Sequence, residues 1–305
     1  DDLAKYRATV RKPLVLEHSL GQIYNLTPPT QGLVSLIILG LLDRLDIGKF
    51  GPESPEYIHC VVEATKQAFL IRDRHITDLD FMDIDPQSLL APDHLDKLTT
   101  AIRMDKALPW GHGKGPADTV WMGVIDGEGR AVSFIQSIYH EYGSGIVLSE
   151  TGLNWQNRGC SFSLDPQHIN ALAPNKKPFH TLNPALARLN DGRVMVYGTM
   201  GGDGQPQTQA AVFTRYAVYN QTVQAAITAP RWLLGRTWGD DTDSLKLEGR
   251  FPEEVRRKLK ALGHEVETVE DFDEIVGHAG AIVHYPNGVF EGGSDPRSNG
   301  GVAGF

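Results

Sequence analysis

A chain of 305 residues, 41% hydrophobic and 22% charged, can bury a substantial core and has the balance of an ordinary globular protein. Its net charge of −9 excludes the concentrated basic face that a nucleic acid or an anionic membrane surface requires. Two cysteines, Cys60 and Cys160, are too few for a disulfide framework. A reducing, cytoplasmic setting is therefore expected, with Cys160 read as a buried structural thiol.

Asp1 to Arg11 reads as a short helix and Pro13 to Ile23 as extended chain. The loop Thr27-Pro28-Pro29-Thr30-Gln31-Gly32 is stiffened by its prolines, and Thr30 or Gln31 is placed to cap an apolar helix ending near Gly48. Its run Leu33 to Leu42 is too short to span a bilayer and belongs to a core. In the next helix, Tyr57 to Arg74, the residues Ile58, Val61, Val62, Thr65, Ala68 and Phe69 recur at helical spacing. Short helical pieces fill Pro86 to Ile102, and a loop of glycine, proline and small residues runs from Gly111 to Asp118.

At Thr119 the character changes. Val120, Trp121, Met122, Val124 and Ile125 predict a buried strand, and Asp126-Gly127-Glu128-Gly129 a tight turn into a second one. Asp191-Gly192 and Asn287-Gly288 also separate apolar runs, which gives three hairpins. Helices are predicted around Gln209 to Tyr219, Val223 to Ile227 and Pro252 to Gly263, the last with Arg256, Arg257 and Lys258 on its solvated side. Strands framed by blocks of helices imply layered packing with mostly antiparallel pairing.

A flexible leader that delivers a threonine to the start of a strand suits a nucleophile freed by cutting the chain just before it. An ordinary strand-initiating Thr119 is the plain alternative. The loop Gly198-Thr199-Met200-Gly201-Gly202-Asp203-Gly204 satisfies neither the Walker pattern nor GxGxxG, so nucleotide binding is not expected. An oxyanion hole built on the amides of Gly201 and Gly202, or a structural turn, remains. There is no HExxH, CxxC or GxSxG, and the pairs His278/His284 and His75/His94 lack a carboxylate or thiol at ligand spacing. No metal and no cofactor is expected.

Taken together, these residues resemble the γ-glutamyltransferase family of N-terminal nucleophile hydrolases. The likeness runs in order along the chain. Asp2-Leu3 to Tyr6 and the Pro28-Pro29 loop are similar to the end of that family's large subunit. Val124-Ile125-Asp126, Gly129, Ala131-Val132-Ser133 and Gly143-Ser144-Gly145 are similar to the start of its small subunit. Lys177-Pro178, Asn183-Pro184, Gly198 with Gly201-Gly202, Ala229-Pro230-Arg231 and Ser294-Asp295-Pro296-Arg297 follow. The resemblance implies an α+β fold, the four-layer αββα sandwich. It implies a precursor cut between Asp118 and Thr119, with 1–118 the C-terminal, mostly helical part of a large subunit and 119–305 the small subunit. The N-terminal part of the large subunit, with a substrate-gripping arginine, would lie outside this chain. Thr119 would be the nucleophile, its freed α-amine the base, Ser137 its supporting hydroxyl, and Gly201 and Gly202 the oxyanion donors. The two subunits would come from one precursor, with further oligomerisation left open.

The departures from the family point to substrate. Tyr139 stands where the family places an asparagine; Arg158, after Asn157, and Ser161 stand where it places glutamine and aspartate; His180-Thr181 replaces two serines. The family residues hold the α-amino and α-carboxylate groups of a glutamyl donor. Loss of the aspartate removes the counter-charge for an ammonium, while Arg158 and His180 favour a carboxylate. The expected substrate is thus a small amide with an adjacent acid group, bound near Tyr139, Asn157, Arg158, His180 and Thr181. The pattern Thr-Met-Gly-Gly-Asp-Gly-Gln-Pro-Gln is most similar to the oxamate amidohydrolase branch. A γ-glutamyl hydrolase or transferase, a glutaryl-type acylase and a non-catalytic binding relative are the alternatives.

Overall fold

The computed structural model describes residues 5–111, 118–235 and 243–305, with nothing said of the Asp118 side chain. Strands β1 (Leu14–His18) and β2 (Gly21–Asn25) form a hairpin that leads into helix α1 (Gly32–Arg44). Helix α2 (Pro55–His75) follows, capped by the Ser54 side chain accepting from Tyr57 N with Pro55 in its first turn. After the short α3 (Pro92–Thr99) come β3 (Asp118–Ile125) and β4 (Ala131–Tyr139). Next are β5 (Ala185–Leu189), β6 (Val194–Thr199), α4 (Gln205–Ala217) and α5 (Val223–Thr228). The chain closes with β7 (Trp232–Leu234), β8 (Leu245–Glu248), α6 (Glu253–Ala261), β9 (Val266–Val269), β10 (Ala279–His284) and β11 (Phe290–Ser294).

The main sheet runs β1-β2-β5-β6-β10-β11 and is antiparallel throughout. Side chains alternate across it, as the pleat requires. Leu14, Leu16, Ile23, Ala187, Tyr197 and Ala281 share one core with the helices, where every residue of α1 from Gly32 to Leu42 is buried. The opposite face of β6 and β10 carries the β3–β4 hairpin, seated by Trp121. Added Cβ atoms at Gly198 and Gly280 would stand 2.1 and 2.5 Å from the Trp121 ring, so these two positions must stay bare. Helices, main sheet and hairpin thus form three successive layers of the αββα arrangement. A third, small sheet, β7-β8-β9, holds the one parallel pair among the described strands.

All three predicted hairpin turns join paired strands. Several expectations need correction. Tyr6 to Arg11 are exposed and not helical, because no apolar face there can dock; Asp1 to Ala4 lie outside the described residues. The α1 helix ends at Arg44, with a separate 3₁₀ turn at Ile47–Lys49. β3 is not buried on both sides: Trp121 faces the sheet, while Val120, Met122 and Val124 are exposed beside Val132 and Phe134 of β4. Cys160 is exposed rather than buried, and neither cysteine is in a disulfide. No helix among the described residues is long and apolar enough to cross a membrane.

Candidate active site

The ladder between β3 and β4 breaks register at one place. Asp118 pairs with Tyr139 and Val120 with Gln136, so Thr119 alone faces both Ser137 and Ile138. This bulge turns the backbone at the proposed cleavage point. Thr119 is 8% exposed, and its Oγ1 has no hydrogen-bond partner among the described residues. A buried hydroxyl left without a hydrogen bond costs about 1–3 kcal/mol, so its position calls for an explanation. Ser137 Oγ accepts from Tyr139 N at 2.9 Å. Ser137 thus lies across the bulge from Thr119. The leader at 112–117 lies outside the described residues.

Across the junction, Tyr139 holds a φ of 78°, a left-handed value uncommon for a bulky side chain. Its ring is stacked on His140 at 4.6 Å between centroids, and the Arg158 guanidinium sits 3.6 Å from its centroid. Arg158 Nη2 donates to Thr181 Oγ1 at 3.3 Å. Among the described residues no carboxylate lies within ion-pair distance of Arg158, although its side chain is buried. Burial is what brings its pKa down to about 10, with Tyr139 and Asp203 opposing, so it stays a cation at neutral pH. Arg158 is thus a buried guanidinium held against an aromatic ring with no carboxylate partner among the described residues.

His180 sits beside it, its N–H bonded to Pro29 O at 3.0 Å and its Nδ1 buried without a partner. Burial, reinforced by Arg158 and Lys177, lowers its pKa to about 3. The neutral imidazole is thus the favoured form of His180, which was expected to favour a carboxylate together with Arg158. Asn157, expected near the substrate, holds on to β4. Its Oδ1 accepts from His140 N at 3.1 Å and its N–H donates to Ile138 O, so it fastens the loop to β4.

The glycine loop leaves β6 with Met200 N bonded to His278 O, and Gly201 and Gly202 adopt φ values of 134° and 50°. Only glycine holds such a pair without strain. Thr119 and Met200 line one cavity of about 380 Å³ with His278 and Gly301. Of the two expected caps, Thr30 Oγ1 accepts from Gly32 N at 3.1 Å while the Gln31 side chain makes no capping bond; its Nε2 donates to Thr181 O at 3.0 Å and Gly202 O at 2.7 Å. One amide therefore ties the glycine loop to the Arg158 wall. Asp203 and Arg72 were also missed by sequence reasoning. Arg72 Nη1 stands 3.2 Å from Asp203 Oδ2, and its guanidinium lies 4.0 Å from the Phe69 ring. Burial holds the Asp203 carboxyl above its usual pKa, against the pull of Arg72. Only the Arg72–Phe69 spacing on one helix face was visible in the sequence.

Sheet and hairpin layers, a threonine at a strand-initial bulge and a paired-glycine loop beside it define an N-terminal nucleophile hydrolase fold. The gamma-glutamyltranspeptidase family model matches residues 1–305, and the chain belongs to that family. Among curated relatives, it is 62% identical over 304 residues to the oxamate amidohydrolase proenzyme of Klebsiella pneumoniae, covering 100% of this chain and 57% of that protein. It is 41% identical to a glutathione hydrolase-like proenzyme of Bacillus subtilis, covering 100% of this chain and 58% of the other. Among solved structures, cephalosporin acylase from Bacillus halodurans superposes with a TM-score of 0.87 at 33% identity, covering 99% of this chain and 54% of that one. The chain thus spans little more than half the length of these relatives.

Proposed function

We propose that this chain forms the catalytic part of a self-processing amidohydrolase whose substrate is a small amide with an adjacent carboxylate, of the oxamate type. Residues 1–118 would belong to the large subunit and 119–305 would be the small one. The observation that carries the substrate class is Arg158: a buried cation without an acidic partner among the described residues, set against the ring of the residue that faces the cleavage junction. The 62% identity to an oxamate amidohydrolase proenzyme supports the same class.

In the continuous chain, Thr119 Oγ attacks the Asp118 carbonyl carbon. The peptide nitrogen takes a proton and leaves as the α-amine of Thr119, and water hydrolyses the resulting ester. The freed amine, with a reference pKa of about 7.7–8.0, then serves as base. It accepts the Thr119 hydroxyl proton as Oγ attacks the substrate amide. The tetrahedral oxyanion would be held by the amides of Gly201 and Gly202. Collapse releases ammonia and leaves an acyl ester on Thr119, which water cleaves to the dicarboxylate. Arg158, with Thr181 and neutral His180, would hold the carboxylate that does not react.

Intact-mass measurement of the purified protein together with ammonia release from oxamate tests this. Two fragments, the second beginning at Thr119, and turnover of oxamate without glutamyl transfer are expected. An active preparation with the 118–119 bond intact in every molecule would overturn the mechanism. Turnover of a γ-glutamyl anilide in place of oxamate would overturn the substrate class.

A further inference from the structure

Gln31 stands immediately before helix α1 and is fully buried. Its side-chain amide uses both N–H groups, donating from Nε2 to Thr181 O at 3.0 Å and to Gly202 O at 2.7 Å. Its Oε1 has no hydrogen-bond partner among the described residues. A neutral bond returns about 0.5–1.5 kcal/mol and a buried acceptor left unmade costs about 1–3 kcal/mol, so two bonds and one orphaned oxygen nearly cancel. The amide contributes little net stability. What it fixes is a distance.

The backbone on either side of Gln31 is pinned. Thr30 forms a parallel bridge with His180, and His180 N donates to Pro29 O at 3.0 Å. On the other side, an added Cβ at Gly32 would stand 2.3 Å from Leu26 O, so the chain has no room to shift there. At one end of the link, Thr181 accepts from Arg158 Nη2 through its own Oγ1 at 3.3 Å. At the other end, Gly202 follows Gly201 in the loop of positive φ. One side chain of set length therefore spaces the carboxylate wall from the paired glycines. In oxamate the carboxylate carbon is bonded directly to the amide carbon, a separation of about 1.5 Å. Each methylene inserted between them adds on the order of 1 Å, and a misplacement of about 1 Å can cost a hundredfold in rate.

We infer that Gln31 is a positioning residue that sets substrate length: by holding Thr181 and Gly202 at one spacing, it fits the site to an amide whose acid group is on the adjacent carbon and disfavours longer homologues. Gln31 acts through these two residues and not on the substrate itself. The inference rests on the roles proposed above for Arg158 and the paired glycines.

The test compares wild type with Gln31→Met, which keeps the length and loses both donors, and with the isosteric Gln31→Glu, whose carboxylate would face two carbonyl oxygens. Ammonia release from oxamate and from malonamate gives kcat and KM per processed molecule. Gln31→Met is expected to lower kcat for oxamate about tenfold or more with KM within about threefold of wild type, because the carboxylate still finds Arg158. Malonamate turnover should fall less, so the preference for oxamate narrows. Gln31→Glu should lose more than Gln31→Met at about pH 8. Its activity relative to wild type at the same pH should then recover towards about pH 6, as protonation restores one donor. An unchanged kcat in Gln31→Met with native near-ultraviolet circular dichroism would overturn the spacing role. So would a loss confined to KM, or an equal fall for both substrates. If Gln31→Met does not fold, Gln31→Glu carries the same comparison; if malonamate turnover is too slow to read, the division between kcat and KM decides alone. Processed wild type that leaves oxamate untouched would instead remove the substrate reading beneath the inference.

Discussion

Arg158 combines features that rarely coincide: burial, no acidic partner among the described residues, and a guanidinium 3.6 Å from the Tyr139 ring centroid. The unsatisfied charge makes a ligand carboxylate the natural counter-ion. Arg158→Ala is expected to lower kcat/KM for oxamate by about 2–5 kcal/mol, thirtyfold to several-thousandfold, mostly through KM. Arg158→Lys should restore little, because a lysine ammonium cannot match the planar fork or the stack. Ammonia-release kinetics at varied oxamate check both, and unaltered affinity in Arg158→Ala would remove the specificity argument. The nucleophile has its own signature. With the α-amine as base, kcat/KM should rise with pH through about 7.7–8.0, where the neutral form appears. His180, pushed down to about 3 by burial, adds no inflection in that range. Arg158 was legible in the sequence because it departs from a family pattern. Asp203 and Arg72 were not, since nothing local marks two residues that meet only after folding.

The hairpin of β3 and β4 shows how an element depends on what its neighbours lack. Trp121 lies over Gly198 and Gly280, and its Nε1 donates to Ser133 Oγ at 3.0 Å. Gly198→Ala would place a methyl 2.1 Å from the indole, so β3 must lift from β6. Such overpacking costs about 1–3 kcal/mol. It should also displace Thr119, two residues before Trp121 on the same strand, and slow fragment formation. Urea unfolding and gel-based conversion measure the two effects; an alanine variant with both unchanged would show that the hairpin does not need this seat. The hairpin turns were readable because each carries a glycine that can take positive φ, as Gly129, Gly192 and Gly288 do. The exposed outer face of β3 was not readable, because an apolar run looks the same whether one or both sides are covered.

Across the whole molecule, one buried charge network joins distant parts of the chain. Asp295 Oδ2 meets Arg231 Nη2 at 2.5 Å and accepts from Ala279 N at 2.7 Å; Arg297 bridges Asp295 and Glu248. Burial by itself would raise the Asp295 pKa, but Arg231 and Arg297 overcome it and hold the carboxyl below its usual range. A depressed native pKa contributes stability that is present above the unfolded value of about 3.9 and lost as pH falls through the native one. Asp295→Asn should therefore cost about 3–5 kcal/mol near neutrality, with the gap from wild type closing under strong acid. Urea titrations across pH measure it, and a gap that stays constant would contradict the linkage. His264 acts at milder pH with the opposite charge logic. Burial, with Lys66 and His59, brings its pKa to about 3, so only the unfolded chain binds its proton below about 6.5. Stability should fall from there downward, and a pH-independent stability between 4 and about 6.5 would count against this.

By itself the sequence determined the periodic helices, the three glycine turns, the threonine after a loose leader and the arginine where a glutamyl-binding family has none, because each is a local pattern or a departure from one. The tertiary structure alone decided that Thr119 sits at a bulge with a hydroxyl unpaired among the described residues, that Arg158 has no carboxylate beside it there, that burial lowers the pKa of His180, and that Gln31 joins the glycine loop to the Arg158 wall. Burial and long-range hydrogen bonds set charge and reactivity, and neither exists until segments far apart in the chain have packed together.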